Sequence, residues 1–131
     1  LGDVLGVREA HNLVVTDGLD AVRDWLAGDT VDPPSHMAIG TDGTAVSAGD
    51  TALGAEEYRD AVTQTLKPAS AQVQWKLYIG STSANGFTYQ EAGLFNDPAA
   101  GDMFSRVVFG EDEKTSAEAW TLAWTYTLSA S

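Results

Sequence analysis

"AEAWTLAWTYTLSA", residues 117–130, alternates polar and apolar side chains more regularly than any other stretch of the chain. The apolar positions of this pattern are Trp120, Leu122, Trp124 and Tyr126, and the positions between them are threonine or alanine. A period of two is typical of a β-strand with one face in the core and the other in water. The stretch therefore predicts a half-buried strand at the end of the chain.

The same period recurs upstream, separated by residues that favour turns. Strands are predicted in "AQVQWKLYIG" (71–80), "FTYQEAGLF" (87–95) and "MFSRVVFG" (103–110), with shorter ones in "HMAIG" (36–40) and "VTQTLKP" (62–68). Asn85-Gly86 and the Pro/Gly segment 96–101 are expected turns at hairpin spacing. The segment "ALGAEEYRDAV" (52–62) is compatible with either a helical turn or an extended strand. Consecutive strands at this spacing close most easily as an antiparallel β-sandwich.

One helix is predicted near the N-terminus, after a short strand in residues 4–18. Thr16-Asp17-Gly18 ends the strand and opens the helix, with Asp17 as N-cap because its carboxylate can accept an unpaired amide hydrogen bond. Gly28 is expected to end the helix. The apolar face is predicted from a helical spacing of Leu19, Val22, Trp25 and Leu26. The expected fold is mainly β: an antiparallel β-sandwich with one N-terminal α-helix packed on it, in a single domain spanning residues 1–131.

The charge balance excludes several functional classes. Nineteen acidic residues oppose seven basic ones in 131 residues, which gives a formal net charge of −12. Nucleic-acid binding is disfavoured because it depends on basic residues that neutralise phosphates. No apolar run approaches the roughly 20 residues of a membrane-spanning helix, so no membrane partner is expected. Scattered acids with few lysines favour a protein that works in high salt, from a hypersaline organism or its virus.

No motif predicts catalysis. The chain has no cysteine, so disulfides, thiol chemistry and Cys-ligated zinc are excluded. The two histidines stand in no metal-ligand spacing, no GxSxG elbow is present, and the adjacent acids at 56–57 and 111–113 are typical of solvated charge. Asp42 and Asp50 flank a Gly-rich loop that could hold a hard cation, although turn formation by Asx and Gly residues is the favoured explanation of such a loop. We therefore predict a non-enzymatic protein with no cofactor other than a bound cation.

"EAGLFNDPAAGDMFSRVVF", residues 91–109, is predicted to be scaffold. Glu91 is interpreted as a structural carboxylate that pairs with Arg106 across the hairpin or with Arg59, the alternative being that each charge is separately solvated. Gly93 is expected to permit a β-bulge at which Leu94 and Phe95 turn into the core.

The tryptophans allow two interpretations. Trp75, Trp120 and Trp124 are in phase with aliphatic residues, which predicts that they belong to the core. The alternative is that exposed aromatic side chains form a platform for carbohydrate.

The order of several short segments resembles a group of small structural proteins of tailed bacteriophages and archaeal tailed viruses. The segments are "NLVVTDGLDAVRDWLAG", "HMAIGTDG", "DTALGAEEYR", "FTYQEAGLFN", "GDMFSRVVF" and "EKTSAEAWTLAWTYTL", which run from about Asn12 to Leu128. The shared motifs include "[IM]A-[IL]-G-T", "D-T-x-L-x-x-E", "E-x-G-L-F", "G-x-M-x-x-R" and a "K-T" pair before the last strand. Each motif is short, and it is their order and spacing that carry the resemblance.

The resemblance implies a virion component without catalytic activity: a tail, fibre, collar or capsid-surface protein, here of a haloarchaeal virus. Such a protein would be assembled in the host cytoplasm into the virion. Its expected partners are copies of itself and other virion proteins. A module that binds a host-surface glycan is the alternative.

Overall fold

The computed structural model describes residues 12–129. Their elements are β1 (Leu13–Val14), α1 (Thr16–Leu26), β2 (His36–Gly40), β3 (Glu56–Ala61), β4 (Gln64–Leu66), β5 (Gln72–Ile79), β6 (Thr88–Phe95), β7 (Met103–Glu113) and β8 (Trp120–Thr127). The strands form two antiparallel sheets, a large one in the order β1-β7-β6-β2-β3 and a small one in the order β4-β5-β8. The predicted mainly β fold, a β-sandwich with one helix near its N-terminal end, is confirmed.

The main core lies between the two sheets. Alternate residues of β2 and β6 face the small sheet, and Met37, Ile39 and Leu94 are fully buried there. The small sheet contributes Trp75 and Trp124, which occupy directly opposed positions on β5 and β8 and are buried. The predicted core role of these two tryptophans is confirmed, and Trp120 is half-buried against the same cluster.

The opposite face of the large sheet is covered by the long segment 41–55, which connects β2 to β3. Leu53 of this segment packs with Phe95 and Met103 in a second buried cluster. Because strand side chains alternate between faces, Phe95 enters this cluster while its neighbour Leu94 enters the main core. The large sheet is therefore buried on both faces, which explains the near-continuous burial of β2 and β6.

Helix α1 packs on β7 through only part of the predicted face. Its buried residues are Gly18 and Ala21, and half-buried Trp25 stacks on Phe104 with ring centroids 5.8 Å apart. Of the four residues that were expected to face the core, Trp25 does so, whereas Leu26 is 85% exposed and Leu19 and Val22 are also open to water. The cause is the close approach at Gly18, where an added Cβ would overlap the main chain of Phe104. Gly18, Ala21 and Trp25 thus face the sheet, and the aliphatic residues Leu19, Val22 and Leu26 are exposed.

The predicted N-cap at Asp17 is wrong. The helix begins two residues earlier than an Asp17 cap would place it, Val15 occupies the N-cap position, and no side chain caps it. The Leu19 amide donates to the Val15 carbonyl at 3.1 Å, which starts the helix on its backbone alone. Asp17 lies in the first turn, where a carboxylate interacts favourably with the helix dipole. Gly28 follows the helix with φ +94°, as predicted for its end.

The irregularity predicted next to Gly93 lies between Leu94 and Phe95, where β6 shifts register against β7. Gly93 is paired in register with Ala38 on one side and Arg106 on the other, and the irregularities of β6 lie between Tyr89 and Glu91 and between Leu94 and Phe95. An added Cβ at Gly93 would lie 2.7 Å from the Phe95 ring and 2.9 Å from Leu53. Gly93 therefore makes room for the second buried cluster.

Two further segments differ from the expected boundaries. Residues 56–61 form strand β3, which settles the choice between helical turn and strand, and the acidic residues 111–113 extend β7 beyond its predicted end at Gly110. The predicted first strand largely falls in residues 1–11, as does His11, and these lie outside the described residues.

Candidate functional site

A buried ion pair lies on the face of the large sheet that segment 41–55 covers. Glu91 of β6 is 0% exposed and Arg106 of β7 is 3% exposed. Arg106 Nε donates to Glu91 Oε1 at 3.0 Å. Neighbouring strands position both side chains, because Arg106 pairs in register with Gly93, two residues from Glu91 and on the same face. This is the first of the two pairings considered from the sequence.

The Glu91 carboxylate also binds the main chain of the covering segment. It accepts hydrogen bonds from the amides of Asp42 at 3.1 Å, Gly54 at 2.9 Å and Ala55 at 2.8 Å. Together with Arg106, four donors surround its two oxygens. Three amide donors and a cation give this buried carboxylate the hydrogen-bond partners that it needs. Glu91 therefore fastens both ends of segment 41–55 to the sheet.

The Arg106 guanidinium binds the middle of the same segment. Its Nη1 donates to the Thr44 carbonyl at 3.0 Å and to Asp50 Oδ2 at 3.2 Å, and its Nη2 donates to the Asp42 carbonyl at 3.3 Å. The guanidinium fork thereby joins two carboxylates and two carbonyls. We call Glu91, Arg106, Asp42 and Asp50 the ionic cluster.

Two glycines allow the chain to approach the ionic cluster closely. A Cβ added at Gly40 would lie 2.5 Å from Glu91 Oε2, and one added at Gly54 would overlap the Asp42 side chain. Gly40 lies in the segment "MAIGT" (37–41), and Gly54 lies in the segment "DTALGAE" (50–56). The glycines in these motifs therefore have a steric reason.

Asp42 and Asp50, the predicted cation ligands, both form turn hydrogen bonds. Asp42 Oδ1 accepts from the Thr44 amide at 2.9 Å and from its hydroxyl at 2.7 Å, which lowers the pKa of Asp42 below its usual range. Asp50 Oδ2 accepts from the Ser47 amide at 3.0 Å as well as from Arg106. Within residues 12–129, no group of three or more His, Cys, Asp or Glu side chains is arranged to hold a metal ion. A cation at Asp42 and Asp50 stays a prediction.

Arg59, the other partner considered for Glu91, organises the 96–101 hairpin instead. Its Nη2 pairs with Glu56 Oε1 at 2.7 Å, and its Nη1 donates to the carbonyls of Asp97 at 2.9 Å and Ala100 at 3.0 Å. The guanidinium carbon also lies 3.7 Å from the centre of the Phe95 ring, a cation–π contact. Arg59 therefore joins edge strand β3 to the β6–β7 turn.

A third buried charge, Lys114, was missed by the sequence reasoning. Lys114 follows β7 and is 0% exposed. Its Nζ donates to the Gly80 carbonyl at 3.0 Å, to Asn85 Oδ1 at 2.7 Å and to the Glu118 carbonyl at 3.2 Å. The three donors of the ammonium thus meet three neutral acceptors from two separate loops. The available signal was the "K-T" motif, which singled out this lysine among flanking acids.

One apolar groove of the described chain lies between α1 and the two sheets. It has a volume of about 280 Å³ and is lined by Trp25, Trp75, Phe104 and Tyr126 together with valine, proline and leucine side chains. Two polar atoms of its aromatic residues are already bound: Trp25 Nε1 donates to the Val31 carbonyl at 2.6 Å, and the Tyr126 hydroxyl lies 2.6 Å from Ser105 Oγ. This groove offers apolar contact area and no free acid or base.

The geometry gives the buried charges a structural task. Among the described residues, the one buried side-chain N or O atom without a partner is Trp124 Nε1, on the small sheet, so the atoms of the ionic cluster are satisfied. A general acid, base or nucleophile must keep an atom within reach of a substrate. The ionic cluster instead directs its atoms at the main chain of segment 41–55.

No helix of the described residues is long and apolar enough to cross a membrane.

The structure brings together some of the residues singled out in the sequence and separates others. Asp42, Asp50, Glu91 and Arg106 meet in the ionic cluster, and Gly93, Phe95 and Arg59 lie beside one another at the next turn. The helix residues Asp17, Gly18 and Trp25 and the β8 residues Trp120 and Trp124 belong to other parts of the fold. No family model matches the chain, and it matches neither a curated protein nor a solved structure.

Proposed function

We propose that this chain is a non-enzymatic structural subunit of a tailed-virus particle that assembles in high salt. One observation carries the proposal: the buried charged residues of the described chain, Glu91, Arg106 and Lys114, are all letters of the motifs that resemble virion proteins. Buried charges are costly and need specific partners. Here each of them holds a loop in place, which is the task expected of a scaffold.

The other motif letters have matching roles in the same scaffold. Gly40 admits Glu91, Asp50 binds Arg106, and Glu56 pairs with Arg59. The motifs therefore describe one arrangement in which segment 41–55 is fastened across the large sheet. A rigid sandwich with fastened loops suits a subunit that must present a constant surface to its neighbours.

The composition supports a haloarchaeal virus as the source. Nineteen acids in 131 residues keep a protein soluble where salt screens their mutual repulsion. Assembly in the host cytoplasm, incorporation into the virion and contact with other virion proteins belong to the same proposal.

Mass spectrometry of purified particles tests the proposal. Particles released by a culture that carries the gene would be banded in a density gradient in molar salt. We expect the chain in the banded particles at a constant ratio to the major capsid protein. Recovery of the chain from cell extract alone, with none in the banded particles, would overturn a virion role.

A glycan array in the same molar salt separates the structural role from the glycan-binding alternative. Trp75 and Trp124 are buried within the sandwich and so are closed to a sugar. We expect no saturable binding to any glycan. Binding to one defined glycan would replace the structural proposal with that of a receptor-binding module.

A further inference from the structure

Strand β8 is an edge strand without the usual protection. The edges of the two sheets are β1 and β3 in the large sheet and β4 and β8 in the small one. β1 has two residues and β4 has three, whereas β3 carries Glu56, Glu57 and Asp60. β8 has eight residues with neither a charge nor a proline. Long uncharged edges readily pair with another strand, and proteins normally block them with charge, proline or a bulge.

The whole small sheet is free of acids. Strands β4, β5 and β8 contain no Asp or Glu, and Lys76 is their one charged residue. On the outer face, Gln72 and Gln74 donate to the hydroxyls of Thr127 and Thr125 at 3.2 and 3.0 Å, which forms neutral polar rows. Two copies of a chain with a net charge of −12 repel each other over most of their surface. This repulsion is least where the two small sheets meet.

An apolar groove continues this surface beside β8. It has a volume of about 370 Å³ and lies between the C-terminal half of β8 and the outward side of α1. Its walls include Leu19 and Val22 of the helix and Leu128 after the strand, all of which are exposed. Leu19 and Val22 lie on the side of α1 that is exposed and does not pack on the large sheet. Covering them removes apolar area from water, which favours association.

We propose that β8 and this groove form a self-association surface for a second copy of the chain. In this arrangement the two β8 strands pair antiparallel about a two-fold axis, which joins the two small sheets into one continuous sheet. A two-fold interface uses the same patch on both copies, so one acid-free patch suffices. The inference rests on the proposed assembly role and names the surface that performs it.

Light scattering coupled to size exclusion in molar salt tests the surface. The variants Thr125→Lys, at the exposed face of β8, and Leu128→Lys, in the groove, introduce charge into the interface. Gln64→Lys on β4 is the control, since Gln64 is exposed, pairs with Lys76 on the outer face and lies on the opposite edge of the same sheet. We expect the wild type and the control to have twice the monomer mass or a multiple of it. Both test variants should have half the wild-type mass while their circular dichroism is unchanged.

Amide hydrogen exchange at two protein concentrations distinguishes a second copy from other occupants. We expect β8 amides to be protected at high concentration and to exchange faster on dilution, with β4 unaffected. A monomeric mass at every concentration, with β8 constantly protected, would mean that the chain covers its own edge and would overturn the inference. A persistent oligomer in both Lys variants would also overturn it, but would leave the virion-subunit proposal to the particle measurement.

Discussion

The two sheets of this sandwich differ in where they keep their charge. The large sheet buries Glu91 and Arg106 under segment 41–55 and exposes acids along its β3 edge, whereas the small sheet has Lys76 as its one charged residue. The buried charges of this acid-rich chain thus hold segment 41–55 against the large sheet. The other sheet is left neutral, and we infer that its neutrality serves contact with a neighbouring copy.

The largest effect is expected from breaking the charged centre of the large sheet. Arg106→Met leaves the buried Glu91 carboxylate without its cation and frees the Thr44 and Asp42 carbonyls. Removal of one partner from a buried pair costs about 3–5 kcal/mol. Chemical denaturation in molar salt should show a fall of this size in the free energy of unfolding.

Arg23→Met provides the control for this loss. Arg23 on α1 pairs with Asp20 and Asp24, but its side chain is largely exposed. Because solvent screens an exposed pair, its loss should leave the free energy of unfolding nearly unchanged. Equal losses in the two variants would mean that the buried pair is no more important than a surface pair.

A substitution of Lys114 tests how much a buried charge with neutral partners contributes to the free energy of unfolding, compared with the Glu91–Arg106 pair. Lys114→Met keeps much of the side-chain length but leaves the Gly80 and Glu118 carbonyls and Asn85 Oδ1 without their donor. Unsatisfied buried acceptors cost about 1–3 kcal/mol. The same denaturation measurement should show this loss, whereas Lys67→Met, at an exposed position, should be neutral. A neutral Lys114→Met would show that the ammonium does not hold its loops.

Tyr126 joins the two sheets and gives the sandwich an alkaline limit. Its hydroxyl lies 2.6 Å from Ser105 Oγ, and burial raises the pKa of Tyr126 to about 12 from 10.0. Because the folded pKa is raised, the stabilisation is complete below pH 10 and is lost as the pH rises through about 12. Melting temperature against pH should therefore fall more steeply above pH 10 in the wild type than in Tyr126→Phe. Parallel curves would contradict this assignment.

The smallest effect is expected at the acidic edge of the large sheet. Glu57→Gln with Asp60→Asn removes two charges from β3, and each exposed charge should contribute a few tenths of a kcal/mol. We expect the wild type to melt at a lower temperature when salt is removed, because the acids then repel without screening. The double variant should lose part of this dependence. A wild-type melting temperature that is the same in molar and very low salt would refute the role of salt.

The sequence pattern predicted the parts of the fold that depend on local alternation. The period of two in β5 and β8 identified Trp75 and Trp124 as core residues, and the hairpin geometry suggested the Glu91–Arg106 pair. Both follow from neighbours on adjacent strands, whose faces a sequence reveals.

The failures concern contacts between distant segments. The buried face of α1 is decided by the approach of Gly18 to the Phe104 main chain, which overrides the larger apolar residues on the opposite side. Gly93 serves Leu53, forty residues away in the chain, and the acceptors of Lys114 come from loops that only the folded sheet brings together. The ionic cluster was likewise predicted only in part. The Glu91–Arg106 pair was considered, but the main-chain donors to Glu91 lie in segment 41–55, which has no periodicity.

A double-mutant cycle on Glu91 and Arg106 tests most directly whether the ionic cluster is the scaffold of the large sheet. The free energy of unfolding would be measured in molar salt for the wild type, Glu91→Gln, Arg106→Met and the double variant. We expect a coupling energy of about 2–3 kcal/mol, within the range for residues in one hydrogen-bond network, with the double variant losing less than the sum of the single losses. A coupling near zero, with additive losses, would contradict the account.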